Sequence, residues 1–261
     1  APDTNGLRGA VLLLAGRHEV FGSFRITNSG IILRGQGITN TTLVAAGLDR
    51  RTLIGIFGPA AATPTQRILI TDAQVPVGSA TIHVADTSAI RPLSPIRITR
   101  PSTTNWITQL RATEFGGGEG GGWKPGSRDI TWDRVVKSIE GNRITIDAPI
   151  TTPLDSGAYI SPISPIGPIS QIGIENLTLE SSFDSANPKD ENHSWCAITM
   201  ENTIDGWVRQ VTFKHFAGSA VALYETTQRI TVQDCVSLAP VSEIGGYRRH
   251  TFFTMGQQTL F

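Results

Sequence analysis

Ile174-Glu-Asn-Leu177-Thr-Leu179, Val208-Arg-Gln-Val211-Thr-Phe213 and Val232-Gln-Asp-Cys235-Val-Ser237 are three versions of one pattern. Each has an apolar residue, two polar ones, an apolar one, a spacer and a third inward candidate. Corresponding positions lie 34 and then 24 residues apart, and Thr259-Leu260-Phe261 continues the series with Phe261 29 residues after Val232. Between these segments runs a second family: Ala197-Ile-Thr-Met200, Val221-Ala-Leu-Tyr224 and Phe252-Phe-Thr-Met255. Strands this short, with polar turns between them, leave no room for helical hairpin repeats. They fit a solenoid in which each strand pairs with its equivalent one coil later, about 4.8 Å away, so that stacked coils share a core no coil could bury alone. Asn176, Gln210 and Asp234 align just before the second core position and are expected to hydrogen-bond along the stack at a bend.

The composition agrees with many turns joining short strands. The chain has 27 glycines and 15 prolines in 261 residues, and only 17% of it is charged. Its 22 basic and 22 acidic side chains cancel, which argues against nonspecific binding to nucleic acid or to an anionic membrane surface. Hydrophobic residues at 39% suffice for a core, and no run approaches the roughly 18 apolar residues of a membrane-spanning helix. The sequence stops inside the strand-like run Thr259-Leu260-Phe261, so it is expected to be a processed or truncated chain. Cys196 and Cys235 allow at most one disulfide and read as buried thiols.

The N-terminal part has the same character. Ala10-Val-Leu-Leu-Leu14 reads as a buried strand, turned by Ala15-Gly16 and resumed by Arg17-His-Glu-Val20. Phe24-Arg-Ile26, Ile31-Ile-Leu33 and Thr41-Thr-Leu43 follow, separated by Asn28-Ser-Gly30 and Gly35-Gln-Gly37. The segments Ala15-Gly-Arg17, Ser29-Gly-Ile-Ile-Leu-Arg-Gly-Gln-Gly37 and Thr41-Thr-Leu43 resemble the opening coils of pectate-lyase-like proteins. The resemblance covers residues 8–60 and 168–261 and implies an all-β, right-handed parallel β-helix. Residues 75–150 break the period with longer alternating strands and the hairpin turn Glu140-Gly-Asn142, which predicts a small antiparallel β subdomain inserted between coils 1–74 and 151–261. A tip with six glycines, Gly116 to Gly122, lies inside this insertion.

Extra residues of the irregular coils fall at one corner: Ser181 to Ser194, the short Lys214-His-Phe-Ala-Gly218, and Leu238 to His250. Three of the five histidines, His193, His215 and His250, sit there with Lys214, Tyr247, Arg248 and Arg249. Loops on a rigid stack are where binding groups are displayed. These types suit β-elimination on a uronate polysaccharide. Arg248 or Arg249 would neutralise the C6 carboxylate, His215 or His250 would take the C5 proton, and Tyr247 would protonate the leaving O4 or act as base. Lys214, Arg249 and His193 are further substrate contacts, and Trp106 and Trp123 are candidates for stacking on sugar faces.

The resemblance implies further properties. Many β-helix lyases use Ca²⁺ to bridge enzyme and uronate, and Asp184, Asp190 and Glu191 are the oxygen donors available. It also implies an acidic polysaccharide as partner and action outside the cytoplasm, secreted or periplasmic. The chain lacks the Trp-Ile-Asp-His and Arg-x-Pro-x-x-Arg segments of pectate lyases, and the Asn-x-Asp, Asp-Asp and Gly-His-Gly set of polygalacturonase-like hydrolases. Two alternatives therefore stand beside a lyase. One is a β-helix hydrolase or epimerase using Asp190, Glu191 or Glu243; the other is a non-catalytic carbohydrate-binding adhesin or phage-fibre solenoid.

Overall fold

The computed structural model describes residues 3, 5–114, 121–164, 167–246 and 248–261. Nearly all regular structure is β, and the chain divides into two units, Ala1–Ala60 with Gly167–Phe261, and Ala61–Ile166.

The first unit holds a nine-stranded and a five-stranded sheet, and every strand pair in them is parallel. Each coil adds to both. Gly173–Ser181 in the larger sheet leads to Cys196–Glu201 in the smaller, Thr203–Lys214 leads to Ser219–Leu223, and Gln228–Gln233 with Val236–Leu238 leads to Phe252–Thr254. The earlier coil Ile31–Arg34, Thr41–Ala45 and Thr52–Phe57 stacks directly on Gly173–Ser181 and Cys196–Glu201. Residues 61–166 therefore leave the stack and return to the next coil.

The repeat gives the register. Ile174 faces Val208 and Val208 faces Val232; Leu177 faces Val211; Leu179 faces Phe213. Leu260 bridges Thr231, which sets Phe261 at the level of Val232. Leu260 and Phe261 remain exposed, but Ile174, Val208, Val232, Leu177, Val211, Leu179 and Phe213, with Ile54, Ile56, Ile198, Met200, Val221 and Leu223 from the smaller sheet, form one continuous core. Each contributes roughly 1.5–3 kcal/mol by burial. The second strand family is offset by one residue from the sequence alignment, since Val221 pairs with Ile198 and not Ala197. Ala10–Leu14 is also not buried: the strand Gly9–Leu12 is exposed throughout, because it pairs on one side only, with Ile31–Arg34.

The polar column has a backbone cause. Asn176, Gln210 and Asp234 adopt φ of 60°, 52° and 53°, the left-handed conformation that bends the strand, and among the described residues no hydrogen bond joins their side chains. A second bend repeats the same spacing at Gln171, Asp205, Arg229 and Gln258, all between 54° and 59°, with Gly30 at 79° one coil earlier. A third falls at His215 (68°) and Ala239 (46°). The left-handed region costs most L-residues roughly 1–2 kcal/mol, and short Asn and Asp tolerate it best. The Asn176 column is therefore explained by backbone tolerance, whereas in the second column Arg229 also pairs with Asp205 of the preceding coil through Nε at 2.6 Å and Nη2 at 2.9 Å.

The second unit is a six-stranded antiparallel sheet in the order Ile68–Leu69, Tyr159–Pro162, Pro95–Arg100, Ile130–Glu140, Arg143–Ile146, Thr81–His83. The hairpin at 140–143 forms, with Glu140 facing Arg143 and Gly141 at φ 62°. Ile82, Ile96, Ile98, Val136, Ile144 and Ile160 fill its core with Trp132, whose Nε1 donates to Thr151 Oγ1 at 3.0 Å. A short helix, Thr104–Gln109, is capped by the Thr103 hydroxyl accepting from the Trp106 N–H.

The corner conformation makes a stability prediction. Gln210 is exposed, so Gln210→Gly should leave the urea midpoint unchanged or raised. Gln210→Val should lower stability by about 1–2 kcal/mol, because a β-branched residue fits the left-handed region worst.

Candidate functional site

The corner after Thr203–Lys214 collects the groups with most chemical capacity. His215 is half-buried, and its left-handed backbone turns the ring toward the next coil, where Nδ1 donates to the Ala239 carbonyl at 3.0 Å. A carbonyl only accepts, so this bond holds the proton on Nδ1 and leaves Nε2 of the neutral ring as the acceptor. Phe183 packs against the imidazole with ring centroids 5.0 Å apart. Glu180 is the ladder neighbour of Lys214 and forms a 2.9 Å ion pair with Arg17. The Arg17 hydrogen bond, assisted by the charges of Lys214 and His215, holds the Glu180 carboxyl below the usual glutamate range against the opposing effect of burial. One carboxylate thus stands among two cations and an imidazole.

The neighbouring loops are tied down by the remaining candidates. His193 is fully buried, with Nδ1 2.9 Å from Ser181 Oγ and Nε2 donating to the Val241 carbonyl at 2.9 Å. It joins the 181–194 and 238–250 loops and presents nothing to a substrate, contrary to the sequence expectation. Arg248 places Nε and Nη2 on the Glu191 carboxylate, which Arg50 also approaches at 3.2 Å. Arg249 donates to the Ser242 hydroxyl and carbonyl. Both guanidinium forks expected to meet the uronate carboxylate are therefore engaged within the protein. Lys189 pairs with Glu243 at 2.9 Å. His250 is exposed and stacked on Phe253 at 6.0 Å. Tyr247 and residues 115–120, with most of the glycine-rich tip, lie outside the described residues.

The carboxylates proposed for calcium do not fit a cation. Asp190 is buried and accepts the backbone N–H groups of Asp184 and Asn192; these bonds outweigh desolvation and hold its carboxyl below the ordinary value. Asp184 caps the N–H of Ala186, and Glu191 serves two arginines. Among the described residues no three His, Cys, Asp or Glu side chains converge as a metal centre requires. The two thiols are free, and burial pushes that of Cys196 up.

In the second unit, Trp106 and Trp123 come together with ring centroids 5.8 Å apart. The Arg100 guanidinium stacks on Trp106 at 4.6 Å and that of Arg128 on Trp123 at 5.7 Å. Each indole thus has a cation on it and the other indole beside it, which restricts the stacking on sugar faces expected for them. Arg100 Nη2 pairs with Asp155 at 2.9 Å, while its buried Nε and Nη1 have no acceptor among the described residues.

A further cluster escaped the sequence reading. On the larger sheet, Arg34, Glu175 and Arg209 occupy adjacent ladder positions. The Glu175 side chain is fully buried and accepts from Arg34 Nε on one oxygen, and on the other from Arg209 Nε at 2.6 Å and Trp207 Nε1 at 2.8 Å. Burial alone would raise its pKa, but the donors from Trp207, Arg209 and Arg34 lower it below the ordinary range. The signal was available, since Glu175 and Arg209 align in the repeat, but it needed the neighbouring coil carrying Arg34 to show the triad.

No family model matches the chain, and no curated protein matches it. Among solved structures it is similar to the tailspike protein gp49 from Pseudomonas phage LKA1, with 16% identity over 88% of this chain and 37% of that one, at a TM-score of 0.46. It is also similar to the Gp54 tailspike of Acinetobacter baumannii bacteriophage AP22, solved in complex with A. baumannii capsular saccharide (10% identity, 90% of this chain, 40% of that one, TM-score 0.40). A third similar structure is the Pseudomonas phage phi297 tailspike gp61 (10% identity, 89% and 40% coverage, TM-score 0.40). The chain spans about two fifths of the length of these tailspikes.

Glu175 predicts an acid limb of stability. Its folded pKa lies below the ordinary 4.5, so the unfolded chain binds the proton more readily. The contribution is complete above the ordinary value and is lost as pH falls through the folded one. Urea titrations across that range should show wild type losing its stability advantage over Glu175→Gln as the pH drops. A constant difference would exclude the carboxylate as the cause.

Proposed function

We propose that this chain is a right-handed parallel β-helix that holds an acidic polysaccharide and cleaves it by β-elimination at the corner around His215. In-register parallel strands joined by crossovers support the fold, since such connections are right-handed in nearly all proteins. The observation that carries the chemistry is the His215 Nδ1 bond to Ala239 O, which presents Nε2 as a base beside Lys214 and Glu180.

In this mechanism the uronate carboxylate lies against Lys214, whose charge stabilises the electron density that develops at C5. His215 Nε2 takes the C5 proton. The C5–H electron pair becomes the C4–C5 double bond, the C4–O4 bond breaks, and the departing O4 takes a proton, for which Tyr247 is the candidate donor. Glu180 faces the imidazolium as it forms. The products are a chain with a new saccharide end and a chain with an unsaturated uronate, and no redox partner is consumed. The protein acts outside the cytoplasm, where such polymers occur.

A second reading, a saccharide-binding solenoid without turnover, is favoured by one observation: the Arg248 and Arg249 forks are both occupied. One assay separates the two. Incubation with uronate-containing polysaccharides should generate the ultraviolet absorbance of the unsaturated product, and His215→Ala should lower the rate by roughly 10²–10⁴-fold. Full activity in His215→Ala excludes the mechanism, and binding without product supports the second reading.

A further inference from the structure

The Glu175 cluster does more than stabilise a strand. Trp207 is the ladder neighbour of Gly173, and a Cβ on Gly173 would meet the indole at 2.5 Å, so the ring lies directly over the glycine. Only glycine leaves that space. The ring packs over Gly173 with Nε1 fixed on Glu175, and the residue is half-buried. Beside it, Arg34 and Arg209 spend Nε on the buried carboxylate and remain 42% and 50% exposed at their side chains. Among the described residues no bond to their terminal nitrogens is seen, and the planar guanidinium geometry suits a carboxylate.

The charge arithmetic points the same way. Two guanidiniums against one carboxylate leave a net positive charge at this spot, in a chain whose total is zero. A buried ion triad is weak evidence for stability, since apolar residues of similar volume often serve as well. What the triad does here is lock two arginines and an indole in fixed positions, and preorganised groups bind at less entropic cost. The strand that carries Trp207 and Arg209, Thr203–Lys214, also carries Lys214 and leads into His215. Arg209 and Lys214 are five positions apart along the strand, roughly 16 Å at an extended rise and less with the bend at Gln210.

We propose that Trp207, Arg34 and Arg209 form a binding subsite for one carboxylated sugar of an acidic polysaccharide, with the sugar face on the indole and its carboxylate on the guanidinium pair. The subsite rests on the reading of the chain as a binder of acidic polysaccharide, but not on catalysis at His215. It is a positioning site, holding a sugar a few units away from that corner.

The test is binding, read by tryptophan fluorescence and titration calorimetry. Probes are hexasaccharides of galacturonate, mannuronate, guluronate and hyaluronan, each beside its carboxyl-reduced counterpart. Wild type should bind at least one acidic hexasaccharide and not its reduced form. Trp207→Ala should weaken that binding at least about tenfold, a change of about 1.4 kcal/mol. The double variant Arg34→Lys with Arg209→Lys keeps both charges beside Glu175 while removing the planar forks, and should weaken binding similarly while the circular dichroism spectrum shows the fold retained. Unaltered affinity in both Trp207→Ala and the double lysine variant overturns the subsite while leaving the polysaccharide reading intact. Absence of binding to every acidic probe overturns both.

Discussion

Everything in the first unit depends on parallel strands of successive coils meeting in register. A coil of about 24 residues has too little apolar surface to fold alone, so its inward side chains must lie over those of its neighbours. That requirement aligns Ile174, Val208 and Val232 in one column and Leu179 with Phe213 in another. It equally aligns whatever points outward. Arg34, Glu175 and Arg209 become neighbours because the inward columns are in register, although Arg34 and Glu175 are 141 residues apart in the chain.

The same stacking dictates where variation is tolerated. Strands cannot lengthen without slipping against their neighbours, and a one-residue slip turns every inward side chain outward. Additional residues therefore accumulate at corners, where Ser181 to Ser194 and Leu238 to His250 fold over the end of each coil. Their charged groups are largely spent on one another and on the loop backbone: Arg248 on Glu191, Lys189 on Glu243, Asp190 on two N–H groups. Loops rich in His, Arg and acidic residues thus have two solutions in this fold. They can staple themselves, as these do, or leave a group turned outward, as His215 with its open Nε2 does.

Local positive charge in a neutral chain follows from the same geometry. Ladder neighbours about 4.8 Å apart bring like and unlike charges into short range without any local sequence signal. Glu175 shared between two arginines leaves a cationic excess on the larger sheet, whereas Arg17 and Lys214 are balanced by Glu180 and Glu19.

Sequence alone determined the repeat, its spacing and the inward columns of the larger sheet, because apolar periodicity is a local property that tertiary structure must obey; the columns of the smaller sheet are offset by one residue. It also determined the hairpin at 140–143, but it put the unlike segment at 75–150 where the second unit is Ala61–Ile166, because the strands Ile68–Leu69 and Tyr159–Pro162 join that unit's sheet only through antiparallel pairing. Individual roles at the corner were decided only by tertiary structure. His193, His215 and His250 are equivalent on paper; one is buried between loops, one presents a nitrogen and one rests on Phe253. Asn176, Gln210 and Asp234 were legible as a column, but their shared left-handed backbone, rather than a side-chain ladder, became visible only in three dimensions. The triad around Glu175 was hidden for the plainest reason: the coil that supplies Arg34 is separated from it by the whole of the second unit. A side chain's chemistry is set by its partners, and in a stacked fold those partners come from other coils.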